Sequence, residues 1–186
     1  EATQTGGSAE GVAGMSDDIV YEVDDPVATI TLNRPATLNA LTHSMLREFR
    51  AAVDSAASDP RVVGIVVTGA GRGFCSGLDA SVLQATANAG SGTRPTTDDV
   101  PGLFTWLLQV PKPIICAVNG VAAGGGFVLT TMCDLRIASD TASFAESFVR
   151  VGIVPGDGGA WLLPRAVGAA KAAEMAFTGD AISAAE

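Results

Sequence analysis

The chain has 186 residues, 47% apolar and 17% charged, long enough for one sizeable domain with a real core. Its net charge of −9 disfavours nucleic acid and anionic membrane surfaces as partners. No apolar run approaches the ~20 residues of a membrane span.

Residues 1–16 are Gly/Ala/Ser/Thr-rich and acidic, which reads as a disordered N-terminal extension ahead of a core over 17–186. They lack the basic region and apolar stretch of a signal peptide, and Met15 is a plausible start. Val27–Asn33 alternates apolar and polar residues as a strand does, and Arg34-Pro35 ends it. From Thr42 the period changes. Met45, Leu46, Phe49, Ala52, Val53 and Ala56 fall on one face of a helix that Asp59-Pro60 stops. Val62–Thr68 is continuous and β-branched, a buried strand, and Gly69–Gly77 is a loop. Residues 85–101 form a polar Gly/Ser/Thr/Pro segment expected to be mobile. A short amphipathic helix then places Leu103, Phe104, Leu107 and Leu108 on its apolar side.

Ile114–Val118 is the next buried strand, followed by a glycine turn and a helix to about Met132. Leu135–Ala138 and Ser143–Ala145 read as short strands. Gly156–Gly159 opens a helix carrying Trp161, Leu162 and Leu163, with Trp161 expected in the core or at a subunit interface. An alanine-rich helix begins near Gly168. Strands alternating with helices give an α/β class with repeated ββα turns. Cys75, Cys116 and Cys133 sit in apolar contexts without metal-ligand spacing, so they read as reduced, buried thiols of a cytoplasmic protein.

The most informative stretch is Lys112–Asp134, where an apolar strand runs into Gly124-Gly-Gly126 and then an apolar helix. Bare backbone at a helix start leaves N–H groups free, and the helix dipole adds partial positive charge there. Such a place suits a developing oxyanion. Together with Ile30-Thr-Leu-Asn-Arg-Pro-Ala-Thr-Leu-Asn-Ala-Leu41, Gly71-Arg-Gly-Phe-Cys-Ser-Gly-Leu-Asp79 and Gly152-Ile-Val-Pro-Gly-Asp-Gly-Gly159, this stretch resembles the crotonase (enoyl-CoA hydratase/isomerase) family. The likeness covers about Ile19 to the end. It implies a ββα superhelix whose C-terminal helical part is missing here, an acyl-CoA substrate, and a homotrimer or dimer of trimers. No cofactor is expected beyond the coenzyme A of the substrate. The family's oxyanion positions fall on Ser76 and Gly125, and by resemblance Phe74, Cys75, Gly77, Leu78, Asp79 and Gly124 line the CoA and thioester pocket.

The departures matter. The two glutamates that hydratases of this family use for water fall on Val128 and Phe148, neither of which carries a proton. Both side chains would instead line a greasy pocket. Ordinary hydration is therefore disfavoured. Two acids are left as replacements. Asp157 stands in the loop before the helix, where it is either a proton carrier or that helix's N-cap. Glu146 stands two residues before Phe148. An extended segment would put both on one face, and the alternative is a solvated or Arg150-paired carboxylate. Asp79 reads as a brace for its loop, His43 as a surface or capping residue, and Cys75 as packing. Arg72 and Lys112 either meet CoA phosphates or solvate the surface. Isomerisation or other crotonase chemistry through an enolate is the leading expectation. The alternatives are a noncatalytic acyl-CoA binding protein and an interaction scaffold.

Overall fold

The computed structural model describes residues 16–88 and 103–186, with side chains through 85 in the first stretch. The expected 1–16 extension lies outside the described residues up to position 15, as does the polar segment beyond residue 88. Strands β1 (Ile19–Asp24) and β2 (Val27–Leu32) form an antiparallel hairpin. β2 then pairs in parallel with β3 (Gly64–Gly69), β3 with β5 (Ile114–Val118), and β5 with β7 (Leu135–Ala138). A second sheet runs β4 (Gly73–Cys75), β6 (Val121–Ala123), β8 (Ser143–Ala145) and β9 (Ala181–Ser183). Helices α1 (His43–Ser58), α2 (Ala80–Asn88), α3 (Gly125–Met132), α4 (Gly159–Val167) and α5 (Ala169–Thr178) complete it. The chain thus repeats one step: a strand in the first sheet, a short strand in the second, then a helix. That is the expected ββα plan.

The α1 face read from the sequence is the buried one: Met45, Phe49, Ala52, Val53 and Ala56 join Ile30, Leu32, Ile65, Val67 and Cys116 in the main core. Thr42 caps the helix by accepting the Met45 N–H at 3.2 Å. Lys112 closes its other end, donating to the Ala56 and Asp59 carbonyls at 2.7 and 2.6 Å. Lys112 is therefore a helix-end clamp and not a phosphate contact. A second cluster of Phe127, Leu163, Ala172 and Met175 ties α3, α4 and α5 together.

Several expectations are corrected. The amphipathic helix over 103–108 is a 3-10 turn, Thr105–Gln109, which buries Phe104 and Leu107 but leaves Leu108 60% exposed. Its tighter three-residue period rotates Leu108 outward. α2 continues through residues 85–88, the start of the segment read as mobile. β4 lies within the expected Gly69–Gly77 loop. Trp161 is 65% exposed, with the Arg165 guanidinium 3.3 Å from its ring centre, so it is not a core residue.

Candidate active site at the glycine crossing

The second sheet brings β4 and β6 side by side, and each leads into a glycine-bearing turn. A Cβ at Gly126 would run into the Cys75 carbonyl and side chain, so only glycine lets α3 start directly on β4. Gly77 has φ +101, and a Cβ there would sit 3.0 Å from the Ala123 oxygen and 3.3 Å from the Gly125 nitrogen. The two turns therefore meet backbone to backbone. In α3 the first amide with an acceptor is Val128, which donates to the Gly124 carbonyl at 2.9 Å. The Gly125 N–H has none among the described residues.

On the facing turn, Gly77 O accepts from Leu41 N–H at 2.8 Å and Asp79 N–H donates to Leu41 O at 2.9 Å. This parallel bridge joins Leu41 to Leu78 but leaves the Leu78 amide pointing away from Leu41. Its nitrogen lies 3.9 Å from where a Cβ on Gly125 would stand. Among the described residues, the amides of Leu78 and Gly125 both lack acceptors and border one space. Ser76 is a correction: its N–H donates to the Leu38 carbonyl at 2.9 Å and its Oγ to the Thr37 carbonyl at 3.1 Å. The left-handed φ at Gly77 breaks the alternation of an extended chain, so residues 76 and 78 present their amides to different sides.

A residue the sequence reading passed over organises this loop. Asn39 is fully buried and adopts φ +58. Its Oδ1 accepts the Arg34 N–H at 2.8 Å, and its Nδ2 donates to the Ala70, Gly73 and Phe74 carbonyls at 2.9–3.0 Å. An asparagine between an Arg-Pro turn and a left-handed step was its available signal. Asp79 braces the loop as expected, joining Arg34 Nη1 at 2.9 Å and receiving the Ser81 amide and hydroxyl in the first turn of α2. The Ser81 hydrogen bonds, with help from Arg34, hold its carboxyl down at about 2. Phe74 and Cys75 are fully buried strand residues that back the loop, so they do not line a pocket with their side chains. Burial pushes the Cys75 thiol up to about 12, which makes it inert. His43 is exposed at the start of α1, and Arg72 is exposed beside β4.

Both candidate acids are brought to the α3–α4 side of the crossing. Glu146 is 1% exposed, and among the described residues neither of its carboxylate oxygens has a hydrogen-bond partner. Burial alone pushes it up to about 7. A Cβ on Gly159 would stand 3.2 Å from Glu146 Oε1 and 3.3 Å from Val128 Cγ2, which places all three residues together. The solvated and Arg150-paired readings are both overturned, because Arg150 pairs with Asp180 at 2.7 Å. A 3-10 turn over Ser147–Val151 follows Glu146, so Glu146 and Phe148 do not share an extended face. Phe148 is half-buried against the main core.

Asp157 sits at φ +51. Its Oδ2 accepts the Phe104 N–H at 2.7 Å, while Oδ1 is buried without a partner. Burial pushes its carboxyl up to about 6, against the lowering pull of the Phe104, Leu103 and Thr105 amides. It is not the N-cap of α4. Gly158 holds that position at φ +79, with no side-chain cap. The Leu103 side chain reaches 3.8 Å from the Cβ position of Gly125, so the segment that anchors Asp157 abuts the glycine crossing.

Two amides without acceptors among the described residues, one of them at the start of α3, together with buried carboxyls on a ββα scaffold, define an acid–base or oxyanion-binding class of site. The chain belongs to the enoyl-CoA hydratase/isomerase family, whose model matches residues 22–186. It is 38% identical over 172 residues to the 1,2-epoxyphenylacetyl-CoA isomerase of Escherichia coli, covering 91% of this chain and 66% of that protein. It is 40% identical over 168 residues to a protein named "Probable enoyl-CoA hydratase" in Rhodobacter capsulatus, covering 90% of this chain and 64% of that one. The solved enoyl-CoA hydratase of Bacillus anthracis superposes with a TM-score of 0.78 at 32% identity, over 90% of this chain and 65% of that one. The chain thus spans about two thirds of the length of these relatives.

Proposed function

We propose that the protein acts on an acyl-CoA thioester and moves a proton between two carbons of an enolate, as a double-bond isomerase does. The thioester oxygen sits between the Leu78 and Gly125 amides, and charge that develops on it is met by fixed dipoles at the start of α3. Asp157 is the proton carrier. As the carboxylate it takes a proton from carbon 2 of a 3-enoyl thioester, leaving a dienolate. It returns that proton to carbon 4, giving the 2-enoyl product with no net change in protons. One carboxylate suffices, whereas hydration must also place and deprotonate a water, and Val128 and Phe148 offer nothing for that. The observation that carries the reading is Asp157 itself: one oxygen tied to the Phe104 amide, the other buried and free.

No helix among the described residues is long and apolar enough to cross a membrane. A cytoplasmic homotrimer or dimer of trimers, working without a cofactor beyond the substrate's own coenzyme A, belongs to the same proposal. The test is a panel of 2-enoyl-, 3-enoyl- and β-diketo-CoA substrates with parent, Asp157→Asn and Gly125→Pro proteins. Proline at the first helical position removes this N–H and puts its ring Cδ where the hydrogen pointed, so it takes away the donor and crowds the oxygen's place together. Turnover of the 3-enoyl ester that both substitutions abolish supports the proposal. Tight acyl-CoA binding with no turnover, unchanged by Asp157→Asn, would make the protein a noncatalytic binder.

A further inference from the structure

The turn that carries the Leu78 amide passes through Gly77 at φ +101, so its course is set by what holds it from outside. The segment over residues 34–41 does the holding. It contains two consecutive left-handed residues that are not glycine, Leu38 at φ +51 and Asn39 at φ +58, an arrangement that persists only where the surroundings enforce it. Arg34 enforces it from both its backbone and its side chain. Its carbonyl accepts the Asn39 N–H at 2.9 Å, its N–H donates to Asn39 Oδ1 at 2.8 Å, and its Nη1 donates to the Ala40 carbonyl at 2.6 Å. The same Nη1 donates to Asp79 Oδ2 at 2.9 Å. Asp79 is fixed at its other oxygen, where Oδ1 accepts the Ser81 amide at 3.0 Å and the Ser81 hydroxyl at 2.7 Å. Ala40 and Asp79 flank the Leu41–Leu78 bridge, one just before Leu41 and the other just after Leu78. One nitrogen thus joins the two segments beside the bridge that orients the Leu78 amide.

We propose that Arg34 is a positioning residue for the oxyanion site: its guanidinium ties the 34–40 turn to Asp79 and so fixes the direction of the Leu78 amide. Arg34 acts through Leu78 and not on the substrate. Its effect on turnover rests on the thioester reading, whereas the clamp on the amide does not. The Arg34 and Asp79 side chains are 23% and 18% exposed, and an ion pair that water reaches adds little stability. What it adds is direction, because both bonds from Nη1 are charge-assisted. A displaced amide forfeits transition-state stabilisation while the substrate still binds.

The test compares the parent with Arg34→Met, Arg34→Lys and Lys112→Met, each as the full chain. Arg34→Met is expected to lower kcat for a 3-enoyl-CoA by ~10–100-fold, less than the ~10²–10³ of losing a donor outright, with KM changed by less than about threefold. Arg34→Lys should recover most of the loss, because both contacts come from one nitrogen and an amine offers three donors. Lys112→Met removes a comparable clamp at the end of α1 and should leave kcat at the parent value. The rise in activity at about pH 6 assigned to Asp157 should persist in Arg34→Met. Without any turnover, the order parameter of the Leu78 N–H by backbone NMR relaxation should fall from ~0.85 towards ~0.6 in Arg34→Met and return in Arg34→Lys. If Arg34→Met fails to fold, Asp79→Asn weakens the pair at equal bulk and should move both quantities the same way. Either quantity left at its parent value in the folded variant, or an equal loss in Lys112→Met, overturns the proposal. If the parent turns over no CoA ester, the thioester reading fails while the Leu78 order parameter still decides the clamp.

Discussion

Replacing Glu146 with glutamine should stabilise the protein at alkaline pH and do little in acid. The carboxyl is 1% exposed and meets no cation or donor among the described residues, and burial raises it from 4.5 to about 7. Between those values the folded chain keeps a proton that the unfolded chain has released. Stability therefore falls as pH rises through that window, and the full penalty is present above it. The span from 4.5 to about 7, at ~1.4 kcal/mol per pH unit, comes to about 3 kcal/mol. Glutamine keeps the shape and never charges. Urea unfolding at pH 5 and pH 8 should show the parent losing about 2.5 kcal/mol relative to Glu146→Gln on going to pH 8, since pH 5 already lies above 4.5. Equal pH dependence in the two proteins would mean that Glu146 is solvated or paired, and the reasoning from burial would fail.

Asp157→Asn should lower turnover of a 3-enoyl-CoA by ~10²–10⁴ with little change in KM, because a proton carrier is lost and binding is not. In the parent, activity should rise as pH passes about 6, where the carboxyl becomes the base, and that step should vanish in the variant. Gly77→Ala forces a side chain into φ +101 and against the Ala123 oxygen. It should cost ~10²–10³ in kcat through the displaced Leu78 amide, with a folded circular dichroism spectrum. Asn39→Ala removes the Asn39 donor from the Phe74 and Ala70 carbonyls and the acceptor from the Arg34 N–H, while Gly73 O keeps Asn119, and should destabilise by about 3–5 kcal/mol in urea unfolding, two or three orphaned groups at ~1–3 kcal/mol each.

The long periodic elements were legible in the sequence because their burial is one-sided. Met45, Phe49 and Val53 mark α1 at helical spacing, and Ile30 and Leu32 mark β2 at strand spacing. β4, β6 and β9 are three residues each and run into glycine loops or a helix end without turn signals of their own, whereas β8, equally short, stands between polar residues that mark its bounds. β1 was passed over because its outer half, Glu22–Asp24, carries acids on a half-exposed edge. Within the site, the glycine stretch at 124–126 stood out from local chemistry, since bare backbone before an apolar helix suits an oxyanion, and the family resemblance placed the position on Gly125. The resemblance placed the facing donor on Ser76, and the shift to Leu78 follows from the φ of Gly77, which no residue type announces. Asp157 looked like a cap until Gly158 took that place. Glu146 read as solvated or Arg150-paired because a carboxylate usually is, and its isolation comes from α4 closing over it.

The central claim is that the Leu78 and Gly125 amides converge on a thioester oxygen. Isotope-edited infrared spectroscopy of a bound, carbonyl-labelled acyl-CoA measures it directly. The account predicts a carbonyl stretch at lower frequency than in free ester, with the shift reduced in Gly125→Pro as one of the two donors is removed. A bound thioester whose carbonyl absorbs as it does in water, or a shift that Gly125→Pro leaves untouched, would contradict it.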